Sequence, residues 1–65
     1  YNMIYAVKMN GDRVELYDAQ TGSYQRSVCS NAISATVQGN VVTVNKKDGR
    51  TEIYDADTGS YQRSL

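Results

Sequence analysis

Sixty-five residues with seven bases, seven acids, no histidine and one cysteine make a single small domain of zero net charge. That balance argues against a nucleic-acid footprint, the apolar runs are too short to span a membrane or form a signal peptide, and one cysteine excludes an internal disulfide or a cysteine-ligated zinc site. Oligomerisation is the expected remedy for so small a core, since burial of ~60% of the chain's surface at ~25 cal/mol per Å² only cancels an ordering cost of ~1.5 kcal/mol per residue.

Seven short runs alternate between apolar and polar residues. The first, over 3–9, points Met3, Tyr5, Val7 and Met9 one way, and Asn10-Gly11 turns it onto a second run over 13–18 with Val14 and Leu16. Thr21-Gly22 leads to a third run carrying Tyr24 and Val28, and Ser30-Asn31 to a fourth over 33–37, with Ile33, Ala35 and Val37 on one face. Gly39-Asn40 precedes a fifth run over 41–45 (Val42, Val44). Asp48-Gly49 precedes a sixth over 51–55, in which Ile53 and Tyr54 point oppositely, and Thr58-Gly59 a seventh over 61–65 with Tyr61 and Leu65. Such dipeptides make tight turns because Gly, Asn and Asp tolerate positive φ. Even spacing reads as an antiparallel all-β meander. No run sustains a 3.6-residue apolar period, so no helix longer than one turn is expected. Six tyrosines, with neither Trp nor Phe, suit strands that keep one wet face.

The chain repeats itself. Residues 13–28 read RVELYDAQTGSYQRSV and residues 50–65 read RTEIYDADTGSYQRSL, with twelve of sixteen positions identical at an offset of 37. We divide the single domain, 1–65, into a first repeat over 1–28 and a second over 29–65. The first would have to begin nine residues before Tyr1, so it reads as truncated, and a longer repeat protein or a designed one fits equally well. A unit of this length with four short strands has the size of a propeller blade.

The phrases IYDADTGSYQRSL and LYDAQTGSYQRSV resemble the blade repeats of quinoprotein-type and WD-repeat-like β-propellers. There a strand ends in a Tyr-Asp-Ala phrase, turns at Thr-Gly and enters the outermost strand. AISATVQGNVVTV likewise resembles their small-residue inner strand, Gly-Asn turn and apolar second strand. The resemblance implies two propeller-like blades, the first incomplete, and spans nearly the whole chain. The outer strand departs from it, with Arg26 and Arg63 near the place where quinoprotein blades carry tryptophan, and no cofactor is expected.

The Asp-Ala-x-Thr-Gly phrases at 18–22 and 55–59 are expected to be turns, the aspartate accepting backbone N–H bonds and Gly22 and Gly59 taking positive φ. Asp55-x-Asp57-x-Gly59 also matches the opening of some calcium loops, but no acidic residue follows to complete six to eight oxygens, and the first repeat has Gln20 in place of Asp57. Enzymatic roles find little footing. The commonest general base is missing. Cys29 lacks a sequence neighbour to lower its pKa and reads as a packed residue, slightly more comfortable in a reducing, cytoplasmic compartment. Glu15 and Glu52, alternating with arginine, are expected in solvent-facing cross-strand pairs. Tyr17, Tyr54, Tyr24 and Tyr61 are expected to pack between blades with hydroxyls in water, or to stack on a sugar or a partner. Lys46-Lys47 reads as a solvated hairpin tip.

The expected function is therefore a non-enzymatic structural or protein-interaction module, with no catalytic, metal or cofactor residues assigned. The alternative is a multivalent, lectin-like binder with pockets between repeats. Both repeats carry the same residues on the same faces, so neither end looks like a cap, and uncapped repeats expose apolar faces. A homo-oligomeric ring would close those faces, a trimer being favoured and a dimer next.

Overall fold

A computed structural model describes residues 3–65. Seven antiparallel strands form two sheets, and no helix occurs among the described residues. Strands β1 (Tyr5–Asn10), β2 (Arg13–Asp18) and β3 (Tyr24–Cys29) make the first sheet, in that order. Strands β4 (Ala32–Gln38), β5 (Val41–Lys46), β6 (Thr51–Asp55) and β7 (Tyr61–Ser64) make the second. Neither sheet closes on itself. The all-β meander and its seven strands are those expected from the turn residues. Asn31, at φ 59°, lets the chain pass from β3 into β4 and so from one sheet to the other.

Both Asp-Ala-x-Thr-Gly phrases fold as the same turn. Asp18 Oδ1 accepts from Gln20 N at 2.8 Å, and Asp55 Oδ1 accepts from Asp57 N at 2.8 Å. Gly22 N and Gly59 N each donate to the carbonyl of their aspartate at 2.7 Å, with φ at 78° and 76°. The left-handed conformation closes the turn, and only glycine adopts it without cost.

The sheets stack face to face. Val14 and Leu16 of β2 and Val42 and Val44 of β5 are fully buried, joined by Ala32 and Ala56. Tyr5, Val7, Met9 and Val28 of the first sheet and Ala35, Val37 and Tyr54 of the second pack around them. The first sheet thus turns its forward face to the second repeat, which answers with its rear face.

Equivalence between the repeats differs by one residue across the hairpin. Arg13 pairs with Asn10 around a two-residue loop, whereas Lys46 N donates to Arg50 O across the three residues 47–49. Asp18 consequently lies opposite Tyr5, and its counterpart Asp55 lies opposite Val41. The first strands match at an offset of 36, not 37. One residue inverts a strand's two faces. The second repeat's forward face therefore has Thr43 and Asn45 where the first has Val7 and Met9, and the first repeat's rear face has Ala6 and Lys8 where the second has Val42 and Val44. The expectation of equal faces fails on this point: the two outward faces are more polar than the seam between the repeats.

Ile33 also departs from expectation. Ala32 pairs with Lys46 and Ser34 with Asn45, which leaves Ile33 as an unpaired bulge, 65% exposed. Ala35 and Val37 keep the inward side without it. Tyr24 is likewise exposed on its edge strand.

The turns generate a paired expectation. Gly22→Val and Gly59→Val should each cost ~1–2 kcal/mol for the left-handed backbone, lowering Tm by roughly 4–8 °C per kcal/mol in a domain this small. A Cβ at Gly22 meets nothing within 4 Å, whereas one at Gly59 meets Arg26 Cδ at 3.4 Å. Gly59→Val should therefore melt lower than Gly22→Val. Equal melting of both with the parent in thermal circular dichroism would refute the turn assignment.

Candidate functional site

Three arrangements bring polar side chains together. The first occurs once in each repeat. Tyr17 Oη donates to Glu15 Oε1 at 3.3 Å, and Tyr54 Oη to Glu52 Oε1 at 2.8 Å. Each tyrosine meets the next strand's ring edge-on, Tyr17 with Tyr24 and Tyr54 with Tyr61, at 5.6 Å between centroids. Tyr24 and Tyr61 in turn bond Ser27 and Ser64 through their hydroxyls. Glu15 and Glu52 are buried, 8% and 9% exposed, which corrects their expected place in solvent. Strand alternation puts a glutamate outward only if nothing covers that side, and here the neighbouring tyrosine lies over it. The hydroxyls of Tyr17 and Tyr54 accordingly meet a carboxylate, whereas those of Tyr24 and Tyr61 are exposed.

Burial is the main force that raises the Tyr54 pKa well above the usual ~10 for tyrosine, and the bond to Glu52 adds to it. Tyr17 shifts the same way for the same reasons. A protonated hydroxyl is what a buried carboxylate needs, since an ionised pair would leave two negative charges together.

The second arrangement joins the repeats. Arg26 Nη1 of β3 donates to the Ala56 carbonyl at 2.6 Å, reaching across the seam into the second repeat's turn. It also lies 3.4 Å from Tyr5 Oη, and Tyr5 donates to Asp57 Oδ1 at 2.7 Å. That bond to Asp57 is the leading cause of a raised Tyr5 pKa. The turn Ala56–Gly59 is thus seated against the first repeat, and Ala56 is wholly buried. At the other end of the seam, Lys47 Nζ reaches Asp12 Oδ2 at 3.4 Å, Lys47 N donates to Asn31 O, and Lys46 Nζ donates to Ser30 O at 2.6 Å. Lys47 thus sits on an exposed tip, as expected, and from there also reaches Asp12 of the first repeat, while Lys46 bonds within the second.

The third arrangement is a groove of about 420 Å³ on the forward face of the second repeat, lined by Val41, Ile53, Asp55, Gln62, Arg63 and Leu65. Its first-repeat counterparts Leu16, Arg26 and Val28 lie under the second repeat. Leu65 is 78% exposed, where Val28 packs on the core.

The remaining sequence candidates lie apart from these. Cys29 is a half-buried free thiol; burial raises its pKa, outweighing the opposite pull of Lys46, so the thiolate is disfavoured. Asp55 and Asp57 are engaged by the turn and by Tyr5, and no group of three or more potential metal ligands occurs among the described residues. Sequence reasoning missed the latch. Its signal was present in the identity of Arg26 with Arg63 and of Ala19 with Ala56, but nothing in one dimension says that the arginine of one repeat faces the alanine of the next.

Two expectations follow from these bonds. Tyr54→Phe removes the hydroxyl from Glu52 and should cost ~1–3 kcal/mol, the penalty for a buried group left unsatisfied. Tyr17→Phe should cost less, because Glu15 also has Arg13 Nε at 3.5 Å and its tyrosine bond is longer. A tyrosine whose pKa is higher folded than unfolded contributes stability present below ~10, the unfolded value, and lost as pH rises beyond it. The parent should therefore weaken above pH ~10, and Tyr54→Phe should lose less over that range. Denaturant midpoints at pH 8 and 11 measure both effects; identical pH sensitivity in the two proteins would refute the assignment to Tyr54. No protein-family model, curated protein or solved structure matches the chain.

Proposed function

We propose that the chain is a non-enzymatic, propeller-like scaffold: two blade-like sheets that join further copies in a ring and offer its surface to a protein partner. The relation between the two repeats carries this reading. Forward face meets rear face, so the contact is heterologous, and every repeat added leaves one face of each kind open. Contacts of that type either close into rings or run on as filaments. The polar residues that the shifted hairpin brings to the outward faces favour reversible association over precipitation, because they lessen the apolar area left in water. The buried carboxylates support a non-catalytic role, since each is held in a structural bond to a tyrosine. A three-chain ring is favoured and a two-chain ring next, and sedimentation should find a folded species of three times the 7.2 kDa chain mass. A folded species that stays at 7.2 kDa at every concentration would overturn the reading.

The groove on the second repeat favours a second reading, a lectin-like binder. Guanidinium, carboxylate and carboxamide groups of Arg63, Asp55 and Gln62 surround an apolar floor, a combination that suits sugar hydroxyls above a sugar's apolar face. A sugar that binds the native state raises Tm with its concentration. No shift across a panel of mono- and oligosaccharides would remove this alternative.

A further inference from the structure

We infer that the groove lined by Val41, Ile53, Arg63 and Leu65 is a docking site for the Ala19–Gly22 turn of a second copy of this chain. The inference rests on the assembly reading and specifies its contact. Within one chain the same two parts already meet. The Ala56–Gly59 turn of the second repeat sits on the first, with its alanine buried, its carbonyl held by Arg26 at 2.6 Å and its glycine against the arginine stem. Each half of that contact has an exposed duplicate. Arg63 repeats Arg26 and is exposed on the second repeat; Ala19, Thr21 and Gly22 repeat Ala56, Thr58 and Gly59 and are exposed on the first.

The duplicate turn has the shape the groove needs. Asp18 and Asp55 brace the two turns through bonds of equal length, and Gly22 and Gly59 have nearly the same φ. A Cβ at Gly22 meets nothing within 4 Å, so the space that Arg26 occupies beside Gly59 stands open beside Gly22. Arg63 then donates to the Ala19 carbonyl of the next copy, as Arg26 does to Ala56. The flanking positions change together. Inside the chain Val42 and Val44 share one core with Val7 and Met9, whereas the seam between copies brings the face of Ala6 and Lys8 to that of Thr43 and Asn45. Apolar faces apolar inside, polar faces polar outside. The contact between copies is the weaker of the two.

The faces are different surfaces, so each can be blocked separately. Arg63→Glu removes the donor from the groove, and Ala19→Arg puts a long side chain where the seated turn allows only a methyl group. Both positions are exposed in the single chain, so circular dichroism and Tm of the monomer should be unchanged. In sedimentation the parent assembles, each variant alone stays at 7.2 kDa, and an equimolar mixture gives a species of twice that mass and nothing larger. That last result follows because the mixture retains one intact groove and one intact turn. Arg63→Ala should weaken association about tenfold or more, as expected for losing a bond to a charged group. If the parent assembles and both blocked variants assemble equally well, the docking contact is wrong and the assembly reading stands. A parent that never exceeds 7.2 kDa overturns both. If a sugar dissociates the parent while Ala19→Arg leaves its mass unchanged, the groove belongs to a ligand and not to the turn.

Discussion

The packing of one sheet on the other, with β1 and β2 brought against β4 and one core shared between them, is the contact on which the rest of the structure depends. A sheet that is apolar on one face must bury that face against another element. Val14 and Leu16 share that core with Val42 and Val44, and every other feature is arranged around it. The Arg26 latch and the Lys47–Asp12 bridge tie the two sheets at opposite ends of the seam, which sets the register of one on the other. Apolar packing alone is non-directional; the hydrogen bonds of Arg26, Tyr5 and Lys47 supply the direction.

The interior also contains charge, which a core this small tolerates only when it is satisfied. Glu15, Glu52 and Asp18 are buried, and no buried side-chain nitrogen or oxygen among the described residues lacks a partner. Each glutamate is covered by the tyrosine two positions along the same strand, so the strand supplies its own counterpart. The arrangement explains why tyrosine serves here and phenylalanine would not: the ring contributes apolar area and the hydroxyl satisfies the acid.

Much of this was legible in one dimension. The turn dipeptides located the strands, and Gly22 and Gly59 declared their positive φ through the residues around them. Three features were not legible, each for a stated cause. Ile33 is displaced by a bulge, which alternation cannot register because it assumes that every residue pairs. The burial of Glu52 depends on Tyr54 lying over it, a matter of rotamer and not of pattern. The unequal faces come from one extra residue in the second hairpin; comparison of 13–28 with 50–65 lies wholly downstream of that residue and keeps an offset of 37. The latch was hidden for a related reason, since it is made of residues from two repeats that only stacking brings together.

The seam within the chain and the seam proposed between copies would form at different times. The strong seam lies within one chain and is made of hairpins whose strands are neighbours in sequence, so its closure is unimolecular and draws largely on local pairing, the kind that forms quickly. In the proposed assembly, contact between outward faces has no part in that step and depends on concentration. In that assembly the chain reaches its native state before it meets a neighbour, and the three-residue loop of its second hairpin is what would keep the first event independent of the second.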